Sequence, residues 1–163
     1  MRSTRFAVVA AIAIWLAAAC QQALSSRMSI FGARPDFFLI VLTPLALWSP
    51  RRIGTLLGFV CGFVQGATAG ANLAGHIVSQ VIGGFTVSWS KQIGFQPNIV
   101  VIAITAGAAT LLCQLVFMFL APPPGVLSFL GDTIGSALYN GVLAVPVYLL
   151  LKRILNPSIH SGL

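Results

Sequence analysis

Two carboxylates, Asp36 and Asp132, are the whole acidic inventory of this 163-residue chain. Paired carboxylates can share a proton and activate water, and an ionisable group inside an apolar run is costly enough to be a functional suspect. Each also has a structural reading. Asp36 follows Pro35 and opens an apolar run, the position of a helix cap, where negative charge is favoured, with Arg34 two residues away. Asp132 lies between Gly131 and Thr133-Ile-Gly-Ser136, and would cap a sixth helix only if that helix began later than its hydropathy suggests. His76, in Asn72-Leu-Ala-Gly-His76, has no second His or carboxylate at ligand spacing, so a hydrogen-bonded packing role outweighs a metal site. Gln65, Gln80, Gln114 and Asn140 put an amide on four different apolar segments. Such amides hold helices together for roughly 0.6 kcal/mol each, or they line a ligand cavity. Cys20, Cys61 and Cys113 are far apart, odd in number and set in apolar runs, which suits small apolar side chains rather than disulfides or metal ligands. No phosphate-cradling glycine loop, Ser–His pairing or Cys-x-x-Cys occurs, and no cofactor is expected.

The surroundings of these residues set the class. Hydrophobic residues make up 58% of the chain and charged residues 7%, against roughly 25% charged in soluble domains. A mean hydropathy of +0.97 leaves too little polar surface for water, so a soluble enzyme, a disordered tail and a nucleic-acid-binding domain are excluded. The net charge of +7 does not mark a nucleic-acid partner, because its cations lie singly or in pairs between apolar runs, as in membrane-protein loops. The expected surroundings are membrane lipid.

Six apolar runs, over about 6–24, 36–49, 53–71, 73–89, 98–120 and 126–151, predict an all-α integral membrane protein, with 1–163 a single transmembrane domain. The second run is the exception. It is short for a bilayer and carries Pro44, so it needs either a thinned membrane or protein around it. The opening Met-Arg-Ser-Thr-Arg and Ala17-Ala-Ala-Cys20 imitate a secretory signal, but the apolar stretch continues to Leu24 and everything downstream is also apolar. Seven of the nine cations (Arg2, Arg5, Arg51, Arg52, Lys91, Lys152 and Arg153) share one side if the six runs alternate, against Arg27 and Arg34 on the other. That bias predicts cytoplasmic N- and C-termini. Trp48, Trp89 and Tyr148 then fall at inner ends as headgroup anchors, whereas Trp15, mid-run, reads as packing.

Gly54, Gly58, Gly62, Gly66 and Gly70 place a glycine at every fourth position of the third run. Four residues advance a helix by about 400°, so the glycines form a slowly winding groove free of side chains. Helix association in lipid has no hydrophobic driving force, and small-residue grooves allow the close backbone approach that replaces it. The groove receives either a partner's helix or a neighbouring helix of the same bundle.

The string Leu57-Gly58-Phe59-Val-Cys-Gly62-Phe-Val-Gln65-Gly66, then Gly70-Ala-Asn-Leu-Ala-Gly-His76, resembles the bacterial rod shape-determining protein MreD family. So do Pro35-Asp36 opening a short second run, the basic pair Arg51-Arg52, the length and the six runs. The specific matches lie within about 35–85. At Gly66 the chain departs from the acid usual in that family, leaving Asp36 as the family-like carboxylate of this region. The resemblance implies a noncatalytic component of the cell-elongation machinery in the bacterial cytoplasmic (inner) membrane. Its implied partners are an MreC-like bitopic protein, the MreB-like actin filament and cell-wall synthases. It also implies the six-helix fold of vitamin-uptake substrate-binding (S) components. The alternative is therefore a small-ligand binder of an uptake transporter, with His76, Asn72 and Asp132 as pocket candidates. A third reading, the intramembrane aspartyl peptidase of lipoprotein signal peptides, ranks last. Neither Arg34-Pro-Asp36-Phe nor Gly131-Asp132-Thr resembles that family's motifs.

Overall fold

The computed structural model describes residues 2–30, 32–94 and 96–155. The expected side of the C-terminus concerns residues 156–163 and lies outside them. Six helices follow in order: α1 (Arg2–Leu24), α2 (Phe37–Leu47), α3 (Arg51–Ala69), α4 (Leu73–Gln92), α5 (Ile99–Leu120) and α6 (Val126–Leu155). Among the described residues there is no strand, only an isolated bridge between Ile30 and Ala33. Three helices, α1, α5 and α6, are long and apolar enough to cross a membrane. At 19 and 20 residues, α3 and α4 are of similar length. Glycines and polar side chains such as Gln65, Ser79 and Gln80 dilute their apolar character.

The short helix is the centre of the molecule. Every residue of α2 from Phe38 to Leu47 is buried, and α2 packs against all five other helices. Its 11 residues reach about 16 Å at 1.5 Å per residue, about half of a hydrocarbon core near 30 Å. Of the two remedies the sequence allows for a short span, the structure uses protein around it. The unbroken apolar run Phe-Phe-Leu-Ile-Val-Leu-Thr-Pro-Leu-Ala-Leu suits a rod with no face left for any other environment.

Two close hairpins stand around this core. In the first, the glycine stripe of α3 lies on α4 in antiparallel register. A Cβ added at Gly54 would run into Ser88 and the Gly84 carbonyl, one at Gly58 into the Gln80 carbonyl, one at Gly62 into the His76 carbonyl at 2.5 Å, and one at Gly66 into Leu73 at 2.8 Å. Each four-residue step along α3 thus meets a step back along α4. Gly70 stands outside the stripe: it ends α3 in the left-handed region with φ 69°, and a Cβ there would meet nothing within 4 Å. Asn72, also left-handed with φ 53°, completes the turn. Asn is one of the few side chains that enter this region readily. In the second hairpin, α5 and α6 approach at Gly107 against the Ala137 carbonyl and Gly141 against the Ala103 carbonyl.

Two aromatic expectations need correction. Trp15 is 77% exposed, because α1 turns Ala10, Ile14 and Ala17 inward and presents Trp15 on its outer face. Tyr148 is no exposed anchor: its ring is buried, 5.3 Å from the Trp48 ring, and its hydroxyl donates to the Pro97 carbonyl at 2.9 Å.

Overpacking costs 1–3 kcal/mol even where side chains can yield, and at Gly62 the obstacle is backbone. Gly62→Leu is therefore expected to destabilise the protein by about 3 kcal/mol or more. Gly131→Ala, in open space within α6, is expected to add up to about 1 kcal/mol of stability. Thermal melts in detergent check both, and equal melting temperatures would disprove the register.

Candidate functional site

The first turn of any helix leaves four backbone N–H groups without an intrahelical acceptor. In α2 this turn packs within the protein, and side chains from α1, from α6 and from Asp36 itself meet the requirement. The Asp36 N–H donates to Asn140 Oδ1 of α6 (2.9 Å) and the Phe37 N–H to Gln21 Oε1 of α1 (2.9 Å). Asp36 Oδ1 accepts from the N–H groups of Phe38 (3.0 Å) and Leu39 (3.2 Å). The Arg34 N–H just before the helix donates to Ser136 Oγ of α6 (3.0 Å). Asp36 is thus the N-cap anticipated from Pro35-Asp36, but its second oxygen reaches α3 rather than Arg34, whose side chain is exposed.

That second oxygen starts a chain of amides. Gln65 Nε2 donates to Asp36 Oδ2 (3.0 Å), and Gln80 Nε2 of α4 donates to Gln65 Oε1 (2.7 Å). With its NH2 turned toward Asp36, Gln65 presents its carbonyl to Gln80. Gln80 must in turn present its own NH2, which directs its carbonyl away from the chain. Gln80 is 2% exposed, and its Oε1 has no hydrogen-bond partner among the described residues. On the other side, Asn140 Nδ2 continues to Thr110 Oγ1 of α5 (3.0 Å). One carboxylate and its neighbours therefore link all six helices.

The opposite end of α2 is treated similarly. The Ala46 carbonyl accepts from Ser88 Oγ of α4 (2.9 Å), and the Leu45 carbonyl from Ser49 Oγ (2.7 Å). Hydroxyls stand where water would cap an exposed helix.

Other sequence candidates lie apart from this cluster. Asp132 does not cap α6, which begins at Val126. It is exposed within the helix, against Gly32, whose φ of 88° and contact with the Asp132 carboxylate both disfavour a side chain there. Among the described residues the two carboxylates make no hydrogen bond to each other. His76 is half-buried and stacked on Phe117, ring centroids 4.6 Å apart. Gln114 is half-buried and outside the network. The ligand-pocket trio is also divided: exposed Asn72 precedes α4, His76 lies in its first turn and Asp132 in α6, and α4 and α6 do not pack on one another. A cavity of about 320 Å³ at this end is lined instead by Ile30, Ala33, Gly131, Gly135 and Tyr139. Cys113 donates to the Ser79 carbonyl at 3.2 Å and fills the space left by Gly83. Among the described residues no group of three His, Cys, Asp or Glu side chains could hold a metal ion.

Gln65, Gln80 and Asn140 stood out in the sequence, but Thr110 as the partner of Asn140, and Gln21 and Ser136 as acceptors for the Phe37 and Arg34 N–H groups, did not. Nor did the second glycine contact, although Ala103-x3-Gly107 and Ala137-x3-Gly141 carry the same four-residue signal as α3.

Comparison of the chain with protein-family models, with curated proteins and with solved structures finds no match. Its class therefore rests on the fold: an all-helical protein with three helices long and apolar enough to cross a membrane.

Removing the Asp36 side chain would strand three donors, whereas an amide in its place could still cap α2 through its carbonyl. Asp36→Ala is accordingly expected to cost about 3 kcal/mol. Asp36→Asn should cost about 1 kcal/mol or less, with Gln65 and Gln80 both turned over. Thermal melts of the two variants in the same detergent check this, and equal losses would show that the acid is not the cap.

Proposed function

We propose that this chain is a noncatalytic, MreD-like membrane component of a bacterial cell-elongation machinery. On this reading all six helices lie within the cytoplasmic membrane as a bundle like that of the vitamin-uptake S components. The end bearing Arg5, Arg51, Arg52, Lys91, Lys152 and Arg153 faces the cytoplasm, in keeping with the bias of cations toward that side. Its work is to scaffold peptidoglycan synthesis by touching an MreC-like bitopic protein, and through it the MreB-like filament and the synthases.

The observation that carries the reading is the use made of the family-like residues. Asp36, Gln65 and Gly58–Gly66 are spent on joining α2, α3 and α4 to one another, and His76 is stacked on Phe117. A catalytic or transport site would leave such groups open to a substrate. With the glycine face of α3 taken up by α4, the surface available for a partner helix is the opposite one, where Leu56, Phe59 and Phe63 are 57%, 46% and 49% exposed. Phe59 and Phe63 stack with centroids 6.4 Å apart, a firm apolar ridge for lateral contact in lipid, where packing drives association.

The double variant Phe59→Ala, Phe63→Ala is expected to fold normally yet lose most co-purification of the MreC-like protein from mild detergent. Gly62→Leu should lose both fold and partner. Undiminished capture by the double variant would reject this contact, and failure of the unaltered chain to retain any elongation component would reject the function.

A further inference from the structure

We infer that the groove between the start of α5 and the end of α6 is a binding site for a phospholipid with an anionic headgroup. The inference rests on membrane residence and not on the shape-machinery reading.

The groove has a volume of about 370 Å³, within the range of small-molecule sites. Its lining combines two chemistries: Ile99, Val100 and Leu149 contribute apolar surface, and Asn98, Tyr148 and Lys152 contribute polar groups. Lys152 Nζ stands over the Tyr148 ring, 5.7 Å from its centroid, so the ammonium is held beside the groove. The Tyr148 hydroxyl is tied to the Pro97 carbonyl and Asn98 Oδ1 accepts from the Val101 N–H at 2.8 Å, which holds both side chains in place. The Asn98 NH2 remains as a donor.

Position and charge select the ligand. Both helices that form the groove are candidate membrane spans, and the groove lies where their apolar stretches give way to Asn98 on one and Lys152-Arg153 on the other. That is the depth at which a lipid changes from acyl chain to headgroup. The same end of the molecule carries Arg5, whose guanidinium donates to the Ile154 carbonyl at 2.8 Å, together with Arg51, Arg52, Lys91 and Arg153. Both carboxylates sit at the other end, by the first turn of α2 and by Gly32. A zwitterionic lipid would bring its own cation beside its phosphate into this basic end and add no net counter-charge to Lys152. An anionic headgroup supplies one while its chain runs along Ile99, Val100 and Leu149, and basic pockets between spans bind such headgroups.

Native mass spectrometry of the full chain in mild non-ionic detergent tests this, with phosphatidylglycerol and phosphatidylcholine as probes. The unaltered protein should retain phosphatidylglycerol preferentially. Lys152→Gln should weaken that retention about fivefold, the equivalent of about 1 kcal/mol for one lysine at the surface, while Lys91→Gln leaves it unchanged. Val100→Trp, from a position 64% exposed, should fill the groove and abolish retention without lowering the melting temperature. Equal retention of the two lipids, or normal binding by well-folded Lys152→Gln and Val100→Trp proteins, would overturn the site. Displacement of the lipid by inorganic phosphate alone would overturn its assignment to a lipid.

Discussion

A helix whose ends are sealed from water must have its orphan N–H and C=O groups answered by protein, and α2 is built around that demand. Four donors at its start and several acceptors at its finish would each cost on the order of 1–3 kcal/mol if left bare. A surface helix leaves them to solvent. Here the answer comes from Gln21, Asn140, Ser88, Ser49 and the helix's own Asp36. Once those side chains are assigned to the two ends of a central rod, the placement of α1, α4 and α6 around it is largely determined. The amides of α3 and α4 then add a specific rotation of each helix about its own axis.

Backbone proximity is the second determinant. Along α3 and α4 the glycines bring one backbone onto the carbonyls of the other, the arrangement that favours dispersion and weak Cα–H···O contacts. This explains how helices with modest apolar content hold together. The more apolar spans, α1 and α5, bury only 22% and 28% of their apolar windows. Around the apolar centre formed by α2, the contacts between the other helices are made largely by polar and small residues, and much of the apolar surface of α1 and α5 faces outward.

Much of the architecture was legible in the residue order. The six runs reappear as six helices whose ends shift by a few residues, because long apolar stretches leave little choice of element. The short second run announced its need for shelter through its length alone, and Pro35-Asp36 announced its cap through side-chain chemistry. The partners of that cap were not legible. Which glutamine meets Asp36 depends on how α3 and α4 are rotated and how far α6 extends past its apolar stretch, and neither follows from local pattern. Trp15 shows the same limit: its place in the middle of a run says nothing about the face it occupies. Asp132 could cap the sixth helix only if that helix began late, and α6 begins at Val126, where the hydropathy places it.

The ties from Asn140 and Ser136 to the segment entering α2 join residues more than one hundred positions apart. A ribosome has therefore long since released the second helix when the group that satisfies its Asp36 N–H is made. In the proposed membrane setting α2 is too short to span a bilayer unaided, and until α6 is in place its first turn is only partly answered. A simple succession of independently inserted rods would, on that reading, leave α2 unsheltered. The earlier helices would then hold a gap between them until α6 closes the bundle over the second.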